Sequence, residues 1–260
     1  FGGRMVLTIS ILNDIITYGV FSNDELKCHF SSNRINGTTS NEYSLFLEAM
    51  LSKYHISIND ISGCCISSVV PSSVPEIVKS VKELFRIKPL IVGHGIKTGV
   101  NIRIDNHSQL GSDLVANAAG CLLSFGYSSI IIDFGSATTI SVINSKGEFI
   151  GVIIAPGVAV GMNALSCSAA SLPDISVSSP RSLIGKNTID SMISGSIYGT
   201  ACMVDGLIDR IINECNIDNV NLVACGTYSD NIIPYCRNKF IVNKNLTLIG
   251  LKQIYNLNQG

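Results

Sequence analysis

Apolar residues recur along the chain in two periods. Over residues 5–20 they form two strand-length runs that break at Asn13-Asp14, which predicts a hairpin. A turn at Ser22-Asn23-Asp24 leads to a third strand over 25–30, and the polar stretch 31–40, with Asn36-Gly37, reads as a loop. The spacing then changes to helical: Tyr43, Phe46, Leu47, Met50 and Leu51 place a helix over 41–54, and Val74, Ile77, Val78, Val81 and Leu84 place another over 74–85. Between and after them, the β-branched run 63–70 and the short run 90–92 read as strands, and 109–123 reads as a helix.

The opening pattern then returns. A strand over 129–133, a turn at Gly135-Ser136, a strand over 138–143, a turn at 144–147 and a strand over 148–154 repeat the order of the first thirty residues. A long helix over 189–212, a strand over 221–225 and a final helix over 248–256 follow. The chain is therefore an internal duplication of α/β character. The expected domains are 5–115 and 116–260, with the boundary near 115–128.

Composition narrows the function classes. The 260 residues carry 18 Lys+Arg against 19 Asp+Glu, a net charge of -1, which excludes binding to nucleic acid by phosphate neutralisation. With 46% hydrophobic and 14% charged residues the chain is not intrinsically disordered. No apolar run approaches the ~20 residues of a membrane-spanning helix, so no membrane partner is expected. The nine cysteines include no C-x-x-C pair and the four histidines are scattered, so the cysteines read as buried free thiols in a reducing cytoplasm. Met5 reads as the native start and Phe1-Gly2-Gly3-Arg4 as a cloning remnant.

A carboxylate at the end of a first strand, followed by Gly and hydroxyl residues in the turn, has a phosphate-binding logic. The carboxylate holds a cation, the glycine lets backbone approach a phosphate, and turn N–H groups and hydroxyls bind its oxygens. Asp133-Phe134-Gly135-Ser136-Ala137-Thr138-Thr139 meets that description. Two such hairpins facing each other across a cleft would clamp a nucleoside triphosphate. The plainer alternative is an ordinary hairpin turn with hydroxyls.

Several motifs in register resemble the type III pantothenate kinases, also called the Bvg accessory factor family. They are Asn41-Glu42-Tyr43, Ser67-Ser68-Val69-Val70-Pro71, Gly95-Ile96-Lys97-Thr98-Gly99, Gly111-Ser112-Asp113, the 133–139 hairpin, Ala155-Pro156-Gly157, Gly185-Lys186-Asn187-Thr188 and Ser194-Gly195 with Tyr198-Gly199. The resemblance covers nearly the whole chain. It implies duplicated ribonuclease H-like (actin/Hsp70/acetate and sugar kinase) domains with mixed five-stranded sheets. It also implies ATP-dependent phosphorylation of pantothenate, the first step of coenzyme A synthesis, with Mg2+ and a monovalent cation (K+ or NH4+), in a cytoplasmic homodimer.

Residue by residue, the resemblance makes Asp113 the general base, although an Asp there also suits a helix cap. Asp133 matches a cation ligand. Ser10, Asn13, Asp14, Ser136, Thr138 and Gly226 fall at nucleotide positions, and Ile104, Gly111, Ser112, Leu114 and Thr188 at substrate positions. Lys97 reads equally as a solvated loop lysine. The family's Asp-x-Gly-Asn-Thr hairpin is here Ser10-Ile11-Leu12-Asn13-Asp14, and the Arg after the base is Leu114. Those departures remove a metal-organising carboxylate and a substrate anchor. Two alternatives stay open: a family member acting as a binding or regulatory module, and a kinase for a less polar alcohol.

Overall fold

The computed structural model describes residues 5–169, 171–217 and 219–259. Phe1-Gly2-Gly3-Arg4, read as a cloning remnant, lies outside them. In chain order the elements are β1 (Met5–Ile11), β2 (Ile15–Ser22), β3 (Glu25–Asn33), α1 (Ser40–Lys53), β4 (Ile61–Ser68), α2 (Val74–Phe85), β5 (Leu90–Ile91), β6 (Asn101–Ile102), α3 (Ser112–Phe125), β7 (Ser129–Phe134), β8 (Ala137–Ile143), β9 (Glu148–Pro156), α4 (Val158–Ser168), α5 (Thr188–Cys215), β10 (Asn221–Cys225), α6 (Ser229–Ile232), β11 (Ile241–Val242) and α7 (Leu246–Leu257). They group into two units. The first holds the chain through Val100, Asp105–Ser124 and the chain from Asn245 onward; the second holds Asn101–Ile104 and Phe125–Lys244.

The first unit is built on a sheet ordered β3-β2-β1-β4-β5. β1 pairs antiparallel with β2 and parallel with β4, and β5 continues the parallel side. Alternation decides which face is which. Leu7, Ile9 and Ile11 of β1 join Cys64 and Ile66 of β4 in a core with Leu47 and Leu51 of α1 and Ile77 and Val81 of α2. α1 starts at Thr39 because Thr39 Oγ1 accepts the Glu42 N–H at 3.4 Å while Glu42 Oε2 accepts the Thr39 N–H at 2.7 Å. Those bonds hold the Glu42 carboxyl below its ordinary range.

The opposite face of that sheet carries small and polar side chains and is covered by α7, which packs on β1, β4 and β2. Gly63 leaves room for the Tyr255 hydroxyl: a Cβ there would sit 1.9 Å from it. α7 crosses α3 at two glycines. A Cβ on Gly250 would lie 1.7 Å from the Ala116 carbonyl oxygen, and one on Gly120 would lie 2.4 Å from that of Leu246. The backbones touch there, with no side chain between them.

The second unit repeats the first sheet's plan. β7 pairs antiparallel with β8, β8 antiparallel with β9, and β7 parallel with β10, which pairs parallel with β11. The short β6 adds a sixth strand, parallel to β9, to the five expected. Ile130, Ile132 and Phe134 meet Ile197, Ala201, Val204 and Ile208 of α5, whose spacing of four, three and four residues makes one helical stripe. Asn187 caps α5 by accepting the Asp190 N–H at 2.9 Å.

Other features also depart from the sequence reading. β3 continues to Asn33 because Ile15, Ile16 and Thr17 of β2 supply backbone partners to a polar stretch. α4 lies where the sequence reading places no element, directly after Pro156 and Gly157, and Gly157 stands at its N-cap. Burial of the cysteines holds for Cys28, Cys64, Cys65, Cys121 and Cys225, and burial lifts the Cys65 thiol to about 12, whereas Cys167, Cys202 and Cys215 are exposed. Among the described residues no helix is long and apolar enough to cross a membrane, and no group of three or more His, Cys, Asp or Glu is arranged to hold a metal ion.

Candidate active site

In the first unit, three segments converge at the C-terminal ends of β1 and β4. The first is the β1–β2 turn, Leu12-Asn13-Asp14, closed by the Leu12 N–H on the Ile15 carbonyl at 2.9 Å. Arg34 braces it: its backbone N–H reaches the Asp14 carbonyl at 2.9 Å and its Nε reaches the Asn13 carbonyl at 2.6 Å. The second is the end of β4, where Ser67 stands in register with Ser10 of β1. Both serines are buried, and both hydroxyls lack a hydrogen-bond partner among the described residues.

The third segment is the start of α3. Ser112 Oγ donates to the Ser68 carbonyl at 3.0 Å and accepts the Ser68 N–H at 2.9 Å. That two-way link fixes the first turn of α3 to the end of β4. Asp113 follows. A Cβ on Gly111 would sit 2.4 Å from its Oδ1, so a larger residue there would displace the carboxylate. Burial pushes the Asp113 carboxyl above the ordinary carboxylate range, opposed by backbone N–H donors of Leu114 and of Asp113 itself. Leu114 is buried, 6% exposed, so its side chain belongs to the packing of α3. Ser112→Ala is expected to cost about 1–2 kcal/mol of stability, the usual range for orphaned hydrogen-bond partners. It is also expected to lower kcat through Asp113, with thermal melts and initial rates as the measurements; unchanged kcat would separate Asp113 from this link.

In the second unit, Asp133, Ser136, Thr138 and Gly226 gather at the C-terminal ends of β7 and β10. Asp133 pairs with Cys225 across these parallel strands. Gly226 has φ +90, and a Cβ there would lie 2.4 Å from Asp133 Oδ1 and 2.5 Å from the Phe134 nitrogen. A Cβ on Gly135 would lie 3.4 Å from the same Oδ1. The carboxylate thus rests in a cradle of two glycines. Gly157, at the start of α4, donates its N–H to the Ser136 carbonyl at 3.1 Å and approaches so closely that a Cβ would meet that oxygen at 2.4 Å. Thr138 is buried, and its Oγ1 has no partner among the described residues. Thr188 is exposed at the first turn of α5, and Ile104 is half-buried just past β6.

The family model for type III pantothenate kinase matches residues 6–210 of this chain. The chain belongs to the type III pantothenate kinase family. A type III pantothenate kinase from Shouchella clausii is 36% identical over 256 residues, covering 98% of this chain and all of that protein. One from Dictyoglomus turgidum is 38% identical over 255 residues, covering 96% and 98%. Two solved structures share the fold at lower identity: the activator of 2-hydroxyisocaproyl-CoA dehydratase from Clostridium difficile (TM-score 0.55, 14% identity, 97% of this chain and 92% of that one) and a ROK hexokinase from Thermus thermophilus (TM-score 0.51, 10% identity, 97% and 98%). The duplicated ribonuclease H-like fold implied by the motifs is the one observed. As a type III pantothenate kinase, the chain is a phosphotransferase acting on an alcohol.

For this kinase, sequence motifs pointed to Asp113, Asp133 and the turn residues. They missed Arg34 and the role of Ser68, whose contacts span 21 and 44 residues. Lys97 is exposed; its loop is tied by backbone to the Asn258 side chain, at 3.2 and 2.8 Å.

Proposed function

We propose that the residues gathered at these two sheet ends carry out ATP-dependent phosphorylation of pantothenate to 4'-phosphopantothenate, the first step of coenzyme A synthesis. The observation that carries this reading is the half-buried Asp113 carboxylate, seated against Gly111 at the matched motif. Its raised pKa suits a general base, which accepts the proton of the primary alcohol as that oxygen attacks the terminal phosphoryl group of ATP. Gly111 and Ser112 present backbone beside it to the acceptor, with Ile104 and Thr188 as the other substrate positions; Leu114, packed within α3, is not one. Ser136, Thr138 and Gly226 serve the nucleotide from the second hairpin.

The glycine cradle at Asp133 suits a monovalent cation, K+ or NH4+, held by the carboxylate. Bound there, the ion adds positive charge against the nucleotide's phosphates. The first hairpin does not suit a directly held Mg2+. Ser10 is 1% exposed and brings no charge to a cation that prefers carboxylate and phosphate oxygens. In this reading Mg2+ arrives on the ATP phosphates, and Asn13 and Asp14 meet the nucleotide from a turn braced by Arg34.

A homodimer fits the exposed apolar side chains of β9, α4, the segment entering α5 and its first turn: Ile154, Val160, Leu165, Leu183, Ile184 and Ile189. A cytoplasmic location fits substrates made and used there. The test is incubation of the purified protein with ATP, Mg2+, K+ and pantothenate, reading 4'-phosphopantothenate by mass spectrometry. Product that depends on all four is expected. ATP binding without product would overturn the reading in favour of a binding module, and a preferred alcohol other than pantothenate would overturn the acceptor.

A further inference from the structure

One face of α5 runs along the segment that follows α6, and each carries a thiol. Tyr198 packs edge-on against Tyr235, with ring centroids 5.0 Å apart. Further along α5, the buried Asp205 accepts the backbone N–H of Arg237 at 2.7 Å and that of Asn238 at 3.2 Å. Asp209, one turn on, meets the Arg237 guanidinium at 2.9 Å. Positions 198, 202, 205 and 209 share a face of a helix with 3.6 residues per turn. Residues 235, 236 and 237 pass that face in order. Cys202 therefore stands opposite Cys236, between two fixed contacts.

We propose that Cys202 and Cys236 form a reversible redox pair, closing to a disulfide when the protein meets a peroxide. Cys202 is exposed and meets the oxidant first. Cys236 is half-buried, and its thiol donates to the Ile232 carbonyl at 3.6 Å. Burial foremost, then the Asp205 charge and the neighbouring Cys202, push the Cys236 thiol up to about 12, so it stays protonated and acts second. The Cys202 thiolate attacks a peroxide oxygen; the O–O bond breaks, giving a sulfenic acid and one water. Cys236 sulfur then attacks Cys202 sulfur as its proton is lost; the S–O bond breaks and a second water leaves. Two thiols lose two electrons and the peroxide gains them. In a reducing compartment such a bond is transient, which suits sensing. The bridge would fasten residues 235–238 to α5 covalently, where Asp205 now holds them by hydrogen bonds.

The test treats the purified full chain with hydrogen peroxide, blocks remaining thiols, and maps non-reduced peptides by mass spectrometry. The expected product has lost two hydrogens, joins the peptide of Cys202 to that of Cys236, and reverts with dithiothreitol. In Cys236→Ser, dimedone should instead trap a sulfenic acid at Cys202 with no bridge. No bridge in the wild-type chain, or a main bridge to Cys167 or Cys215, overturns the proposal. So does a Cys202 bridge that persists in Cys236→Ser.

Discussion

Asp113→Asn is expected to lower kcat by about a thousandfold, within the range that positioned general bases contribute, while the folded protein becomes no less stable at neutral pH. The two halves of this result come from one cause. Burial raises the Asp113 carboxyl above its unfolded value, so ionising it works against the fold. The sign follows from linkage. Its stabilising contribution is present below the ordinary carboxylate range, where the group is protonated in both states, and is lost as pH rises through the raised folded value. At neutral pH the ionised side chain is therefore a cost, and the neutral amide removes it. Rates measured against pH should show an acid limb for the wild type, set by a group titrating above the usual carboxylate range. Melts of both proteins near pH 4 and pH 7 complete the test. A variant with wild-type kcat would remove Asp113 from the chemistry. A variant that is inactive because it melts far below the wild type would make Asp113 a structural cap.

Gly250→Ala is expected to destabilise the protein by about 3 kcal/mol, although alanine is the better helix former by ~1 kcal/mol. The added Cβ would lie 1.7 Å from the Ala116 carbonyl oxygen and 2.9 Å from the Gly120 nitrogen. Both neighbours are backbone atoms of α3, so no rotamer change relieves the contact and α7 must lift away. Gly206→Ala provides the contrast. Gly206 lies inside α5 with nothing within 4 Å of its Cβ position, and the substitution should stabilise by about 0.5–1 kcal/mol. Urea melts of the two variants against the wild type decide it. If Gly250→Ala melts at or above the wild-type midpoint, the helices are not in backbone contact.

The repeated strand order was legible because β1 and β7 are apolar runs of strand length, and their turns break the run at Asn13-Asp14 and Gly135-Ser136. β6 and β11 were not, since two-residue edge strands leave no period to read. α4 stayed hidden because the residues before it, Pro156 and Gly157, are punctuation in most contexts; the close seat of Gly157 on Ser136 shows only in three dimensions. Within the site, Asp113 and Asp133 could be read from motifs, as could the lost carboxylate at Ser10. The facing pair Ser10 and Ser67 could not, because strand register decides it. The meaning of Gly120 and Gly250 lies in the partner helix, which local sequence does not display.

The return of α7 to the first unit also sets an order of events during synthesis. A ribosome releases residues 125–244 before residues 246–257, so the later unit is complete while the earlier one still lacks the helix that covers β1 and β4. Nascent domains ordinarily mature from the N-terminus forward. Here the half bearing Asp113 waits for α7, made after the second unit, and a chain halted after residue 244 would emerge with that half of the enzyme still open to chaperones and proteases.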